Sequence, residues 1–168
     1  MKVTAIVAST AGGRTDHVVR EVLAAAGSDD VVELHHLVGA HSVSPSVLDG
    51  SDAVVFGTPV YRASYAGVLK EFLDRVPRGT PAEDFIGPLL AAPVAIVATG
   101  GSDHHFLAVN HLVAILAQFF GAYVLPPLYR SADLVADNDG PHRTGKALIA
   151  LACAIKADPR LAAVRPGA

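Results

Sequence analysis

The sequence predicts an α/β fold in which a five-stranded parallel sheet is covered by helices on both faces. Strand-like apolar runs alternate with helical periodicity along all 168 residues, which is the pattern of repeated strand–helix–strand units. Runs such as VTAIVA at 3–8 are continuously apolar rather than alternating, as in strands buried on both faces. The length fits a single domain over 1–168, and no repeat or internal linker interrupts it.

Five strands are predicted from short apolar and β-branched runs between turn residues. They lie at 3–8, 31–37, 52–56, 93–99 and 123–129. The second, VVELHHL, is the weakest pattern. The fifth contains Pro126 and Pro127, which cannot donate hydrogen bonds to a neighbouring strand, so it is expected to be short or at an edge.

Four helices are predicted between and after these strands, at 16–26, 68–76, 105–120 and 144–156. The first carries valines and a leucine on one side and ends at Gly27, and the third ends at Gly121. Residues 158–168 are expected to be a frayed tail.

Composition excludes several classes of protein. Hydrophobic residues make up 51% and charged residues 17%, so disorder is not expected. The net charge is -3 without a basic run, which argues against nucleic acid or an anionic membrane as partner. The first apolar run is too short for a signal peptide, and no run could span a bilayer, so a cytoplasmic protein is expected. Cys153, the single cysteine, lies in a helical pattern and is interpreted as a small core residue.

Ligands of parallel sheets bind beyond the carboxyl ends of the strands, which singles out the loops at 9–15, 57–65 and 99–105. The first loop precedes a helix, so its amides and the helix dipole favour an anion such as phosphate. It also offers several polar groups: Ser9, Thr10, Arg14, Thr15 and the amides around Gly12 and Gly13. It matches neither the Walker A nor the GxGxxG pattern, and a plain helix cap with a glycine turn remains the alternative.

The loop after the fourth strand, ATGGSDHH at 98–105, has two glycines that let the backbone approach a planar ligand. His104 and His105 lack a further ligand at helical spacing, so no metal site is predicted. His35 and His36 point to opposite faces of a strand and are a poor chelating pair. No GxSxG elbow supports a hydrolase.

Two stretches, TPVYRASYAGVLK at 58–70 and ATGGS at 98–102, together resemble the NAD(P)H-dependent FMN reductases of flavodoxin-like fold. The resemblance covers residues 1 to about 155 and is nearest to the reductase components of two-component alkanesulfonate monooxygenases. It implies a three-layer sandwich with strand order 2-1-3-4-5, FMN as cofactor, and NADPH or NADH as co-substrate. It also implies hydride transfer from nicotinamide to flavin N5, with reduced flavin passed to a monooxygenase or a small acceptor such as a quinone reduced instead. No side-chain acid or base is required.

The resemblance assigns the binding residues to the three loops. Around the phosphate it places Ser9, Arg14 and Thr15; along the flavin edge, Pro59, Val60, Tyr61 and Arg62; on the other side of the ring, Thr99, Gly100, Gly101 and Ser102. Pro59 is expected to stiffen its turn so that the next amides stay aimed. Arg62 is expected to meet either the flavin or the phosphates of the nicotinamide nucleotide. Tyr65 and Val68 are expected to face the core or a neighbouring subunit.

Two departures from the family pattern concern Asp16 and His111. Arg14 and Asp16 stand where hydroxyl or amide residues are usual, and Asp16 is expected to turn away from the phosphate as a helix cap. His111 stands where a tyrosine is frequent. The helix at 105–120 is apolar nearly all round, which predicts a homodimer or homotetramer through it. A flavodoxin-like electron carrier is the alternative function, disfavoured because the chain has no Trp and a net charge of only -3.

Overall fold

The computed structural model describes residues 1–39, 41–79, 86–132 and 139–164. Its strands are β1 (Lys2–Val7), β2 (Val31–His36), β3 (Ala53–Tyr61), β4 (Ser64–Tyr65), β5 (Pro93–Gly100), β6 (Tyr123–Val124) and β7 (Leu128–Ser131). They form one sheet in the order β2-β1-β3-β5-β6, with β4 paired to β3 and β7 paired to β5. All pairs are parallel except the β3–β4 hairpin. The predicted order of the parallel strands is therefore confirmed, with the short β4 added and the fifth predicted strand divided into β6 and β7.

The helices are α1 (Arg14–Leu23), α2 (Gly67–Leu73), α3 (Asn110–Ala114), α4 (Asp139–Ala157) and α5 (Pro159–Ala162). Two 3-10 segments, Pro45–Leu48 and Asp103–Val109, and a π-helical turn, Ile115–Phe119, complete the described elements. No helix among the described residues has both the length and the apolar character needed to cross a membrane.

The sheet separates two hydrophobic cores because successive side chains of a strand point to opposite faces. Ile6, Phe56 and Ile96 face the core shared with α2 and the segment 109–122. Val7, Val55 and Val97 face the core shared with α1 and α4. The continuous apolar runs of the sequence therefore supply both faces, and the three-layer sandwich is confirmed.

Glycines let the helices approach closely on the second face. A Cβ on Gly57 of β3 would lie 2.6 Å from Cγ2 of Val19 in α1, and a Cβ on Gly145 of α4 would lie 2.2 Å from the carbonyl oxygen of Val22. Neither position accommodates a side chain, so these two glycines set how deeply α1 sits against the sheet and against α4.

The third strand was predicted to end at Phe56, but it continues to Tyr61 and turns back into β4. The two turn residues, Arg62 and Ala63, have φ angles of 49° and 59°. Positive φ at both central positions is the geometry of a two-residue type I′ hairpin. Residues 60–65 therefore form a hairpin, which the sequence did not predict because its turn, Arg62-Ala63, lacks the glycine or asparagine typical of such turns.

The prediction of one continuous helix at 105–120 was wrong. It consists of a 3-10 segment, α3 and a π-helical turn, with a kink at His105 (φ −102°, ψ 15°). In the π turn Phe120 N–H bonds the carbonyl of Ile115, five residues earlier. Gly121, with φ 70°, ends it as predicted.

Three further expectations changed in the structure. The fifth strand is split into β6 and β7 around its two prolines, as their missing N–H groups require. The expectation of a frayed tail at 158–168 was wrong for Pro159–Ala162, which form a short helix. The Asp158 side chain caps this helix by accepting the Arg160 N–H. Residues 165–168 lie outside the described residues. Cys153 is exposed rather than buried, since Leu148, Ala152 and Ile155 form the inner face of α4.

Candidate functional site

A cleft of about 340 Å³ lies at the carboxyl ends of β1, β3 and β5, within the size range of small-molecule sites. Its walls come from the three loops that the sequence singled out: Ser9, Thr10, Gly13, Arg14, Thr15, Pro59, Val60, Tyr61, Thr99, Gly100 and Gly101. Every predicted binding residue except Arg62 and Ser102 therefore lines it. Thr10 and Gly13 were not among the predicted binding residues, although both stand in the quoted first loop.

One end of the cleft is the amino terminus of α1. Gly13 is the N-cap residue, extended at φ −73° and ψ 167°, and no side chain caps the helix there. The N–H groups of the first turn therefore have no acceptor within the helix and present a partial positive charge. Arg14 adds a full positive charge, and Ser9, Thr10 and Thr15 add hydroxyl groups. This end of the cleft has the chemistry of an anion site.

Asp16 lies behind this loop and is 2% exposed. Its carboxylate accepts the Gly12 N–H at 2.9 Å and the Arg20 Nε–H at 3.1 Å, and its other oxygen lies 2.8 Å from Nε2 of His36. Burial raises the pKa of this carboxyl, but the hydrogen bonds from Gly12, His36 and Arg20 together outweigh it and lower the pKa to about 2. Asp16 turns away from the cleft as expected, but from the third position of the helix rather than as its N-cap.

Two hydrogen bonds join the first loop to the loop after β5. The hydroxyls of Thr15 and Thr99 share one at 2.7 Å, and both side chains are buried. Nη1 of Arg14 donates to the carbonyl of Gly100 at 3.1 Å. These residues are more than eighty positions apart in sequence, so the two walls of the cleft are held at a defined separation by tertiary contacts.

The β3–β4 hairpin forms the third wall. Thr58 shapes its base, because its hydroxyl donates to the Pro59 carbonyl and accepts the Ala66 N–H, both at 2.9 Å. Val60 is buried, whereas Tyr61 is 66% exposed and presents its ring at the mouth of the cleft. Arg62 is at the exposed tip of the hairpin, beyond the residues that line the cleft.

The two glycines at the end of β5, Gly100 and Gly101, differ in the space around them. A Cβ on Gly100 would lie 2.0 Å from Oη of Tyr129, so this position admits no side chain. Gly101 is exposed, and a Cβ on it would meet no other atom within 4 Å, so the rim of the cleft is open at this position. Ser102 was predicted to bind, but it lies outside the cleft, and its carbonyl accepts the Tyr129 hydroxyl at 2.5 Å.

Among the described residues, no three His, Cys, Asp or Glu side chains are grouped so that they could hold a metal ion. His36, at the carboxyl end of β2, is bonded to Asp16. The only sequence signal for it was its position at the same sheet edge as the first loop. His111 is exposed, with its ring 6.3 Å from that of Tyr65, which is buried as expected.

A doubly wound parallel sheet with an anion site and an open, glycine-rimmed cleft at one edge defines a nucleotide-binding or flavin-binding class of α/β protein. The family model described as NADPH-dependent FMN reductase matches residues 1–137. The chain therefore belongs to that family.

Curated relatives match over part of their length. The chain is 38% identical over 87 residues to the NADH-dependent FMN reductase SfnF of Pseudomonas putida, covering 51% of this chain and 42% of the relative. It is 32% identical over 91 residues to an FMN reductase (NADPH) of Escherichia coli, covering 54% of this chain and 44% of the relative. The matched segments thus span less than half of each relative.

Solved structures agree on the fold. An oxidoreductase from Corynebacterium diphtheriae superposes with a TM-score of 0.72 at 23% identity, covering 91% of this chain and 97% of that one. Flavodoxin 1 from Bacillus cereus superposes with a TM-score of 0.68 at 18% identity, covering 89% of this chain and 98% of that one. At these identities the likeness establishes the flavodoxin-like fold.

Proposed function

We propose that this protein is an FMN reductase that oxidises NADH or NADPH. The observation that carries the proposal is the cleft itself, in which an anion site, an exposed tyrosine and a glycine rim from three separate loops meet in a member of this family. FMN needs these features together, because it has a phosphate at one end and a flat conjugated ring at the other.

The residues present fit FMN. The hydroxyls of the first loop, the guanidinium of Arg14 and the first turn of α1 would hold the phosphate. The rigid segment Pro59–Tyr61 would contact one edge of the ring, and the Gly100–Gly101 backbone would approach it from another side. Asp16, the one acidic residue of the first helical turn, is held behind the loop.

When bound, FMN supplies a hydride acceptor for the nicotinamide. The chain's own residues then have to bind the flavin and the nicotinamide, orient the two rings, and partly exclude water. Such positioning lowers the barrier to hydride transfer. Arg14 and Tyr61 are the titratable side chains among the residues lining the cleft. Neither is needed as an acid or base. Arg62, on the hairpin tip, would meet the entering nicotinamide nucleotide at the cleft mouth or contact the flavin edge.

The reduced flavin would pass to a flavin-dependent monooxygenase, or a small acceptor such as a quinone would be reduced at the same cleft. This activity would take place in the cytoplasm.

The protein would also assemble into a dimer or tetramer through residues 105–120, where Phe106, Leu107 and Phe119 are at least half exposed. Apolar side chains at this density on one segment are unfavourable in water and favour burial against a second copy. Sedimentation at micromolar concentration is expected to show a species above 17.3 kDa; a monomer would refute the assembly.

The test follows NADH and NADPH absorbance with and without added FMN. Oxidation that saturates with FMN supports the reductase. Tight FMN binding without nucleotide oxidation would instead indicate the electron carrier, and absence of FMN binding would refute both functions.

A further inference from the structure

The first loop is held from behind by a hydrogen-bonded group of side chains around a buried carboxylate, here termed the Asp16 cluster: Asp16, Arg20 and His36. Asp16 and Arg20 lie one turn apart on α1, and His36 reaches in from the end of β2. Arg20 remains 56% exposed at its side chain, whereas Asp16 is almost fully buried. The carboxylate is thus fixed by a cation on the same helix and a histidine on the edge strand.

The cluster acts on the backbone of the loop through Gly12. This residue has φ 76°, a conformation that strains any residue with a side chain. The next residue, Gly13, bonds back to the Thr10 carbonyl at 3.3 Å and closes the turn. The Gly12 N–H points inward to Asp16 rather than into the cleft. Asp16 therefore fixes the turn whose neighbouring groups, Thr10 and Gly13, line the anion end of the cleft.

The Asp16 cluster also keeps the negative charge of Asp16 out of the anion end of the cleft. A carboxylate in the first turn of α1 would repel a phosphate if it faced the cleft. Asp16 does not line the cleft, and its oxygens are occupied by an N–H group, a guanidinium and an imidazole. Its negative charge is therefore compensated by hydrogen bonds behind the loop.

We propose that Asp16 is a positioning residue for the phosphate of FMN, acting through the Gly12 N–H and the turn at 9–13. This inference rests on the proposed function, since it assigns the phosphate to that end of the cleft. It predicts that Asp16 supports the affinity for FMN and not the affinity for riboflavin, which has the same ring without the phosphate.

Three variants separate the possible roles. Asp16→Ala removes the acceptor of the Gly12 N–H. Asp16→Asn keeps it, because the amide oxygen can accept from Gly12 and Arg20 while the amide nitrogen can donate to Nε2 of His36 in the tautomer that carries its proton on Nδ1. Asp30→Ala is the matched control: Asp30 likewise accepts a glycine N–H, that of Gly27 at 2.7 Å, but at a distant loop.

Fluorescence titration of the full-length proteins with FMN and with riboflavin, alongside thermal unfolding, is the experiment. In Asp16→Ala the Kd for FMN is expected to rise about tenfold, as for loss of one hydrogen bond that orders a charged ligand's site. The Kd for riboflavin should stay within about twofold, Asp16→Asn should return FMN binding to within about threefold of wild type, and Asp30→Ala should alter neither.

Equal weakening of FMN and riboflavin in Asp16→Ala would show a general structural role and overturn the inference. Tighter FMN binding in Asp16→Asn would show that the charge repels the phosphate, and would also overturn it. If Asp16→Ala does not fold, Asp16→Asn still tests the inference, because a loss of FMN affinity beyond about threefold in a variant that keeps the acceptor of the Gly12 N–H contradicts the role of that bond. A wild-type protein that binds neither flavin refutes the proposed function, and with it the inference. Normal wild-type binding with an unchanged FMN-to-riboflavin ratio refutes the inference alone.

Discussion

Replacing Thr99 by valine is expected to destabilise the protein through the Thr15 hydroxyl that it leaves behind. The two hydroxyls share a 2.7 Å hydrogen bond, and the residues are 3% and 5% exposed, so water does not readily replace the lost partner. Valine keeps the shape of threonine, so the change removes the hydrogen bond without leaving a large cavity.

The expected loss of unfolding free energy depends on whether one or both hydroxyls of the pair are removed. A buried hydroxyl without a partner costs about 1–3 kcal/mol, so Thr99→Val and Thr15→Val should each lower the free energy of unfolding by that amount. Replacing both hydroxyls leaves no unsatisfied group, and the double variant should lie within about 1 kcal/mol of wild type. The two single losses sum to about 2–6 kcal/mol and the double variant loses at most about 1 kcal/mol, so the pair should show a coupling energy of roughly 1–6 kcal/mol.

Urea unfolding of the four proteins measures this cycle, and FMN titration gives a second readout. Both single variants should weaken FMN binding, because the bond joins two walls of the cleft. Thr4→Val is the matched control: Thr4 shares an equally buried bond with Ser51 at 2.6 Å near the opposite edge of the sheet. It should reduce stability and leave FMN affinity unchanged. Additive destabilisation by Thr15→Val and Thr99→Val would refute the reasoning.

Three other changes test the structure by denaturant unfolding. Because the pKa of Asp16 is lowered from 3.8 to about 2, its carboxylate stabilises the fold above pH 4, and about 2 kcal/mol should be lost as the pH falls to 2; a wild-type pH profile parallel to that of Asp16→Asn would contradict this. Ala63→Gly should raise stability by about 1 kcal/mol by relieving a left-handed φ of 59°, and a decrease would argue against that turn geometry. Gly57→Ala should cost about 1–3 kcal/mol, because its Cβ would meet Val19, whereas Gly67→Ala, with open space around it, should not destabilise; equal effects of the two would contradict the close packing of α1.

The fold class and the location of the cleft followed from local patterns in the sequence. Continuous apolar runs indicate strands buried on both faces, and alternation with helices requires parallel pairing. Parallel pairing brings the carboxyl ends of strands to one edge, so the loops at 9–15, 57–65 and 99–105 were predicted to meet before any contact between them was known. Glycine, proline and hydroxyl residues in those loops then indicated their chemistry.

What only the tertiary structure decided were features that depend on distant residues. The Thr15–Thr99 bond and the contact of Asp16 with His36 join strands and loops whose side-chain directions no local pattern specifies. Ser102 lies outside the cleft, and its carbonyl accepts the hydroxyl of Tyr129 from β7, a contact that no local pattern indicates. A loop's composition shows which groups are available, but their orientation is set by the packing of elements far away in sequence, and that packing brings the three loops together around one cleft.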